Sequence, residues 1–293
     1  MWDARNLLAD GWGEKFPSYS MRIFLRGVLM IKNYIFLMIV IVSSSVCARS
    51  TCTDLQGRQS YPSLNIKGGA VCFIRDSILD GKTGMPVGLD GIFLYYVANG
   101  SVPVKAEGRG LLYDDTPGEI MDAFSLMVGR DRREKVFVIH SFEVRNSLVE
   151  PHSSGKFYSV SVFEPIGNIL RQDERSTDWF GVGYGWLSVG RKIVWKFPYQ
   201  SRKDVRQAID SPFALLMNGI NSIPVKVKSK TYLFDESSIR GRTKKYLIEG
   251  DRAVVKEVAA GWCKINYSGG AKPIEMWLMC SALDVEAKVR AVN

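Results

Sequence analysis

From Arg49 onward the chain repeats one pattern: short runs in which apolar and polar residues alternate, parted by Gly, Asp, Asn and Ser. Alternation with a period of two predicts strands, because successive side chains of a strand point to opposite faces. Val71–Arg75, Gly91–Val97, Val136–Val144, Phe157–Phe163, Phe180–Trp186 and Ile193–Phe197 read this way. In KVFVIHSFEVR (Lys135–Arg145), Val136, Val138, His140, Phe142 and Val144 share one face and Phe137, Ile139, Ser141 and Glu143 the other. Both faces begin apolar, which predicts a central strand. Two segments read as helices. PGEIMDAFSLMV (Pro117–Val128) opens on proline with acids in its first turn. SRKDVRQAI (Ser201–Ile209) opens on a capping serine and stops before Ser211-Pro212. The predicted class is mostly β with minor helix. A turn-rich stretch at Asn218–Pro224 predicts a boundary between a β-rich region of unassigned fold (49–221) and a second region (222–293).

The N-terminal residues change the expected compartment. Lys32 precedes an apolar run from Tyr34 to Val42, and small residues follow to Val46-Cys47-Ala48. A basic start, a short apolar stretch and a small-x-small exit describe a secretory signal over Met30–Ala48, with cleavage before Arg49. The run is shorter than the roughly 20 residues a membrane span needs, so no integral span is expected after cleavage. Residues 1–29 do not fit a signal and read as an upstream extension, with Met30 or Met21 the working start or with two starts in use. An uncleaved anchor and a cytosolic form from an upstream start are the alternatives.

Four cysteines remain beyond the signal: Cys52, Cys72, Cys263 and Cys280. An even count in an exported chain reads as disulfides. Their spacing favours Cys52–Cys72 and Cys263–Cys280, each closing a loop of about twenty residues and each worth about 3 kcal/mol in the chain-entropy picture. No C-x2-C pair is present, so a structural zinc site is not expected.

The last seventy or so residues predict five short strands: Val225–Val227, Tyr246–Ile248, Ala253–Ala259, Trp262–Tyr267 and Glu275–Cys280, with turns at Glu249-Gly250-Asp251, Ala260-Gly261 and Ser268-Gly269-Gly270. Tyr232 and Phe234 in the first loop, Tyr246-Leu247 before Gly250-Asp251, Gly261-Trp262, Lys264-Ile265, Tyr267 and Trp277-Leu278 follow in order. In that order the segment resembles the bacterial SH3-like family, which implies a small β-barrel. Some relatives use an aromatic groove for a peptide or for cell-wall material. Here that would draw on Trp262, Trp277, Tyr246 and Phe234, with the basic run Arg240, Arg242, Lys244 and Lys245 facing an acidic partner; core filling by the aromatics and a solvated basic loop are the plainer readings.

Composition then removes function classes. The 293 residues carry a formal charge of +9 with only two histidines. His140 falls on an apolar strand face and His152 in a loop with no carboxylate spaced to orient it, so no catalytic residue is assigned. The glycines of DWFGVGYGW (Asp178–Trp186) lead into more strand, not a helix, which argues against a phosphate loop. Its aromatics, Tyr184 and Trp186 among them, read as core or as a binding face. Asp114-Asp115 reads as a turn feeding a helix. The basic residues are scattered, which argues against nucleic acid. No metal or cofactor is expected. The arrangement as a whole, with its signal, the segments FVIHSFEVR, FYSVSVFEP, DWFGVGYGW and KFPY, and the terminal YLIEGD, GW and W, resembles the periplasmic immunity proteins of type VI-like antibacterial toxins. That implies a non-enzymatic binder that occludes a cognate toxin with an acidic surface. The alternatives are an envelope module binding peptidoglycan or a peptide, and a hydrolase built on His140 or His152.

Overall fold

A computed structural model describes residues 52–286 except 56, 114–115, 130, 145–151 and 271. The signal, the segment before it and Asp114-Asp115 lie outside these residues. The chain from Ser50 onward groups as one compact unit. As expected, it is mostly β.

The first sheet has four strands in the order β1 (Arg58–Ile66), β2 (Gly69–Leu79), β3 (Pro86–Ala98) and β4 (Val104–Lys105). The second runs β5 (Glu119–Val128), β6 (Arg133–Glu143), β7 (Lys156–Ile166) and β8 (Ile169–Gln172). After β8 comes helix α1 (Glu174–Phe180), and then β9 (Val182–Tyr184), which pairs with β7. A separate hairpin joins β10 (Trp186–Val189) to β11 (Lys192–Lys196), followed by α2 (Arg202–Ile209) and α3 (Ala214–Met217). The C-terminal strands are β12 (Ile223–Val227), β13 (Thr231–Phe234), β14 (Arg242–Leu247), β15 (Arg252–Ala259), β16 (Trp262–Tyr267), β17 (Ile274–Met279) and β18 (Leu283–Val285). They form one sheet in the order β14-β13-β17-β16-β15-β12-β18, and a one-turn 3-10 helix, Cys280–Ala282, separates β17 from β18.

β6 is buried on both faces, as its sequence predicts. Val136 and Val138 join a core with Val71, Phe73 and Leu94 of the first sheet. Phe137 and Ile139 join a second core with Phe180, Val258 and Trp262. Residues on both sides of Asn218–Pro224 therefore share one apolar interior. Polar contacts tie the same layers together. Arg202 of α2 donates two hydrogen bonds to Asp122 of β5, and the hydroxyl of Tyr61 in β1 donates to the same carboxylate.

Three expectations are corrected. Pro117–Val128 is not a helix, because Glu119–Val128 is strand β5. A register shift between Ile120 and Asp122 breaks the period of two, so the buried residues Ile120, Ala123, Phe124 and Val128 recur at helix-like spacing. β5 also buries both faces: Ile120 and Ala123 point into one core, Phe124 and Val128 into the other. The expected strand Phe180–Trp186 is three pieces: Phe180 ends α1, Gly181 caps it with φ +63°, and Gly185 parts β9 from β10. A Cβ at Gly181 would meet the Ala260 amide nitrogen at 2.8 Å, so this close approach needs glycine. α1 itself carried a readable signal, Asp173 as N-cap with Glu174 in the first turn. Tyr232 and Phe234, expected in a loop, lie in β13. α2 begins after its capping serine, as expected.

Both expected disulfides form, Cys52–Cys72 with Cα atoms 5.5 Å apart and Cys263–Cys280 at 5.0 Å. Cys72 and Cys263 are fully buried. Replacing Cys263 and Cys280 together by alanine is expected to lower stability by about 2–4 kcal/mol. Urea unfolding monitored by circular dichroism measures this, and reduction of the wild type should move its midpoint in the same direction.

Candidate functional site

Of the residues that sequence reading nominated for binding, the structure gathers a subset. β13 and β14 form the edge hairpin of the C-terminal sheet. Tyr232 and Tyr246 are cross-strand partners on it, both exposed, with ring centroids 6.3 Å apart in an edge-on arrangement. Arg242 stacks over Tyr232, guanidinium carbon 3.9 Å from the ring centre, and Lys230 stands 4.2 Å over Tyr246. The β14 register slips between Tyr246 and Arg242, and two of the three residues at the slip, Lys244 and Lys245, are exposed. Among the described residues, Lys230, Arg242, Lys244 and Lys245 have no carboxylate partner. Arg240 sits beside them on the exposed turn that precedes β14.

This geometry leaves donors unused. Stacking on a tyrosine occupies the flat face of a guanidinium but not its N–H edge, which still fits a carboxylate in bidentate fashion. A Tyr–Tyr platform holding two cations in fixed places is thus suited to an acidic surface. Tyr232, Tyr246 and Lys230 were not nominated as a binding set. Their signal was the alternation of Lys230 with Tyr232 and of Arg242, Lys244 and Tyr246 at steps of two.

Other nominated residues lie elsewhere. Trp262 is a core residue, 1% exposed, packed edge-on against Phe234 at 4.9 Å. Its burial takes it out of any surface groove. Trp277 is half-buried on β17, with Lys264 5.8 Å above its ring and that lysine held between Glu257 and Glu275. Tyr184 belongs to β9 and packs edge-on to Phe157 at 5.1 Å. Trp186 opens the β10–β11 hairpin opposite Lys196.

A cleft of about 1060 Å³ lies between the second sheet and α3, with Lys135 and Asp173 in its wall. Its lining holds four acidic and four basic side chains and so presents no net charge to a ligand. Lys135 is nearly buried and gives hydrogen bonds to Asp173 and, at 3.4 Å, to Ser176. Burial alone would raise the Asp173 carboxyl, but hydrogen bonds from Lys135 and Ser176 outweigh it and hold it below the usual carboxylate range. Asp173 also caps α1 through the Ser176 amide at 3.0 Å. The pair therefore anchors a helix to a sheet.

His140 is fully buried, and its Nε2 lies 2.9 Å from the Pro117 carbonyl oxygen. A carbonyl only accepts, so Nε2 carries a proton. Burial pushes its pKa down, and the hydrogen bond to Pro117 opposes this only in part. Nδ1 has no partner among the described residues. Gly118 lies against the ring, and a Cβ there would meet Nε2 at 2.7 Å. His152 is exposed, and its backbone carbonyl accepts from the Ser188 amide. Among the described residues neither imidazole meets a carboxylate, and no group of His, Cys, Asp and Glu is arranged to hold a metal ion.

Two measurements follow from these burials. A base whose folded pKa is depressed stays neutral in the fold but charges in the unfolded chain. Stability contributed by His140 is therefore lost as pH falls below about 6.5, at up to about 1.4 kcal/mol per pH unit, until the folded pKa is reached. His140→Asn should flatten that part of a stability-against-pH curve. Lys135→Met should destabilise by about 3–5 kcal/mol, because it leaves the Asp173 charge unpaired. Adding Asp173→Asn, which keeps a capping oxygen, should recover much of that loss in denaturant unfolding. No protein-family model matches the chain, and no curated protein or solved structure matches it.

Proposed function

We propose that this is a non-enzymatic binding protein of an oxidising compartment, the periplasm, which holds an acidic partner protein on the β13–β14 face. The observation that carries the reading is the exposed Tyr232–Tyr246 pair with Arg242 and Lys230 stacked on it, neither cation ion-paired to a carboxylate among the described residues. The overall charge of +9 supports an acidic partner, since complementary charge speeds encounter and sets specificity. Two disulfides support an oxidising compartment. No helix of the described residues is long and apolar enough to cross a membrane, which agrees with a chain that works outside the bilayer core.

The C-terminal region is read as an SH3-like barrel. A first strand, a long hairpin, a three-stranded meander, a one-turn 3-10 helix and a last strand returning beside the first support that reading. The partner is read as the cognate toxin of an immunity protein, neutralised when this face covers its working surface.

Affinity capture by the chain from Arg49 onward, from a periplasmic extract of its own cell, tests this. The expected result is one stoichiometric acidic protein whose toxicity the bound chain abolishes. Arg242→Glu should weaken that complex at least tenfold at physiological salt, and Tyr232→Ala by about 5- to 30-fold, the range of a central aromatic contact. Retention of peptidoglycan fragments alone, or affinity indifferent to both substitutions, would overturn the reading.

A further inference from the structure

The β10–β11 hairpin is a second exposed surface, built differently from the β13–β14 face. Its connection is a two-residue turn, Gly190-Arg191, with Gly190 at φ +59°. That tight turn brings the strands together to their tip, where Val189 pairs with Lys192 and Ser188 with Ile193. Adjacent pairs of a ladder face opposite ways, so Val189 and Ile193 stand on opposite faces of the tip. Both are well exposed, at 67% and 56%, and Trp186 farther back is 37% exposed. The body of the protein holds the base of the hairpin and the outer edge of β10, where the Ser188 amide donates to the His152 carbonyl. Leu187 is buried there, bridged to Ser153, and Trp195 packs over Gly183.

The hairpin's own charges have one sign. Arg191, Lys192 and Lys196 are exposed and have no carboxylate partner among the described residues. From Trp179 to Lys203 the chain contains no Asp or Glu. Aliphatic side chains at a tip, a tryptophan behind them and a collar of cations form the composition of an interfacial anchor. Apolar tips enter the acyl boundary, tryptophan sits at headgroup depth, and Lys and Arg reach the phosphates.

We infer that the β10–β11 hairpin docks the protein on an anionic lipid bilayer, with Val189 and Ile193 inserted among the headgroups and Arg191, Lys192 and Lys196 on lipid phosphates. The opposed faces favour a bilayer over a protein partner. A protein surface would cover one face of a two-stranded tip and leave the other apolar side chain in water, whereas a bilayer surrounds the tip on all sides. The anionic charge follows from the acid-free collar. This surface is independent of the one assigned to the partner protein. It would hold the binder at the membrane, where a partner arriving at or crossing that membrane is met.

Sedimentation of the chain from Arg49 onward with vesicles tests the inference; this form lacks the apolar Tyr34–Val42 run, and the compact unit begins at Ser50. Vesicles mixing phosphatidylglycerol with phosphatidylcholine should bind it, pure phosphatidylcholine should bind it far more weakly, and added salt should release it. Arg191→Ser with Lys192→Ser should weaken binding by about 25-fold, at about 5-fold per cation. Val189→Asp with Ile193→Asp should weaken it by at least about tenfold, while these exposed positions leave the melting temperature unchanged. Equal binding to both vesicle types would overturn the inference. So would binding that ignores both hairpin double variants, or that is lost on Arg242→Glu instead. Capture of the acidic partner by the hairpin variants at wild-type affinity keeps the two surfaces distinct.

Discussion

Strand β6 carries the constraint on which the rest of the structure depends: a single run of residues must fill two cores at once. Val136 and Val138 point one way, Phe137 and Ile139 the other, and all four are excluded from water. A strand buried on both faces has no solvent side to relax into, so both flanking layers must be in place. The first sheet supplies one layer. The C-terminal sheet, with α1 and the helices after β11, supplies the other. The polar residues of this region follow from the same burial. His140 stays neutral against the Pro117 carbonyl, and Lys135 is matched by Asp173 at the rim.

Because the interior is shared, the surfaces left for recognition are those that neither core uses. Two hairpins, one at a sheet edge and one standing apart, meet that description. The β13–β14 hairpin presents cations held on tyrosine rings, and the β10–β11 hairpin presents aliphatic side chains ringed by cations. The difference between them is physical. Stacked, ordered cations suit directional pairing with carboxylates. An apolar tip with exposed basic side chains suits a fluid, anionic surface. The two disulfides staple the first and last sheets, one at the start of the first and one, through the buried Cys263, across the end of the last. The stapled unit is thereby less free to open from either end.

Sequence patterning was a good guide where a strand kept one period over most of its length and a poor one where a slip met helix-like end signals or a glycine broke the run. β6, β7, β15 and β16 were legible because their alternation is unbroken or nearly so. β5 was misread as a helix because Pro117 and the acids after it look like a helix start, and one slip gives its buried residues helix-like spacing. α1 was missed because its seven residues end at a glycine inside an aromatic alternation that looks like strand. Among the site residues, the basic run Arg240–Lys245 was visible as charge. Its partners Tyr232 and Tyr246 were visible only as aromatics, and Trp262 looked as available as Trp277.

The sequence by itself determined the mostly β class, the pairing of the four cysteines and the double-faced burial of β6. Each of these is a local pattern or a short loop, and local patterns need no knowledge of distant partners. Only the tertiary structure decided which aromatics reach water, which cations stay unpaired and which apolar side chains form an exposed tip. Exposure and pairing depend on what packs against a residue from elsewhere in the chain, and in a fold of antiparallel sheets those neighbours come from strands many residues away.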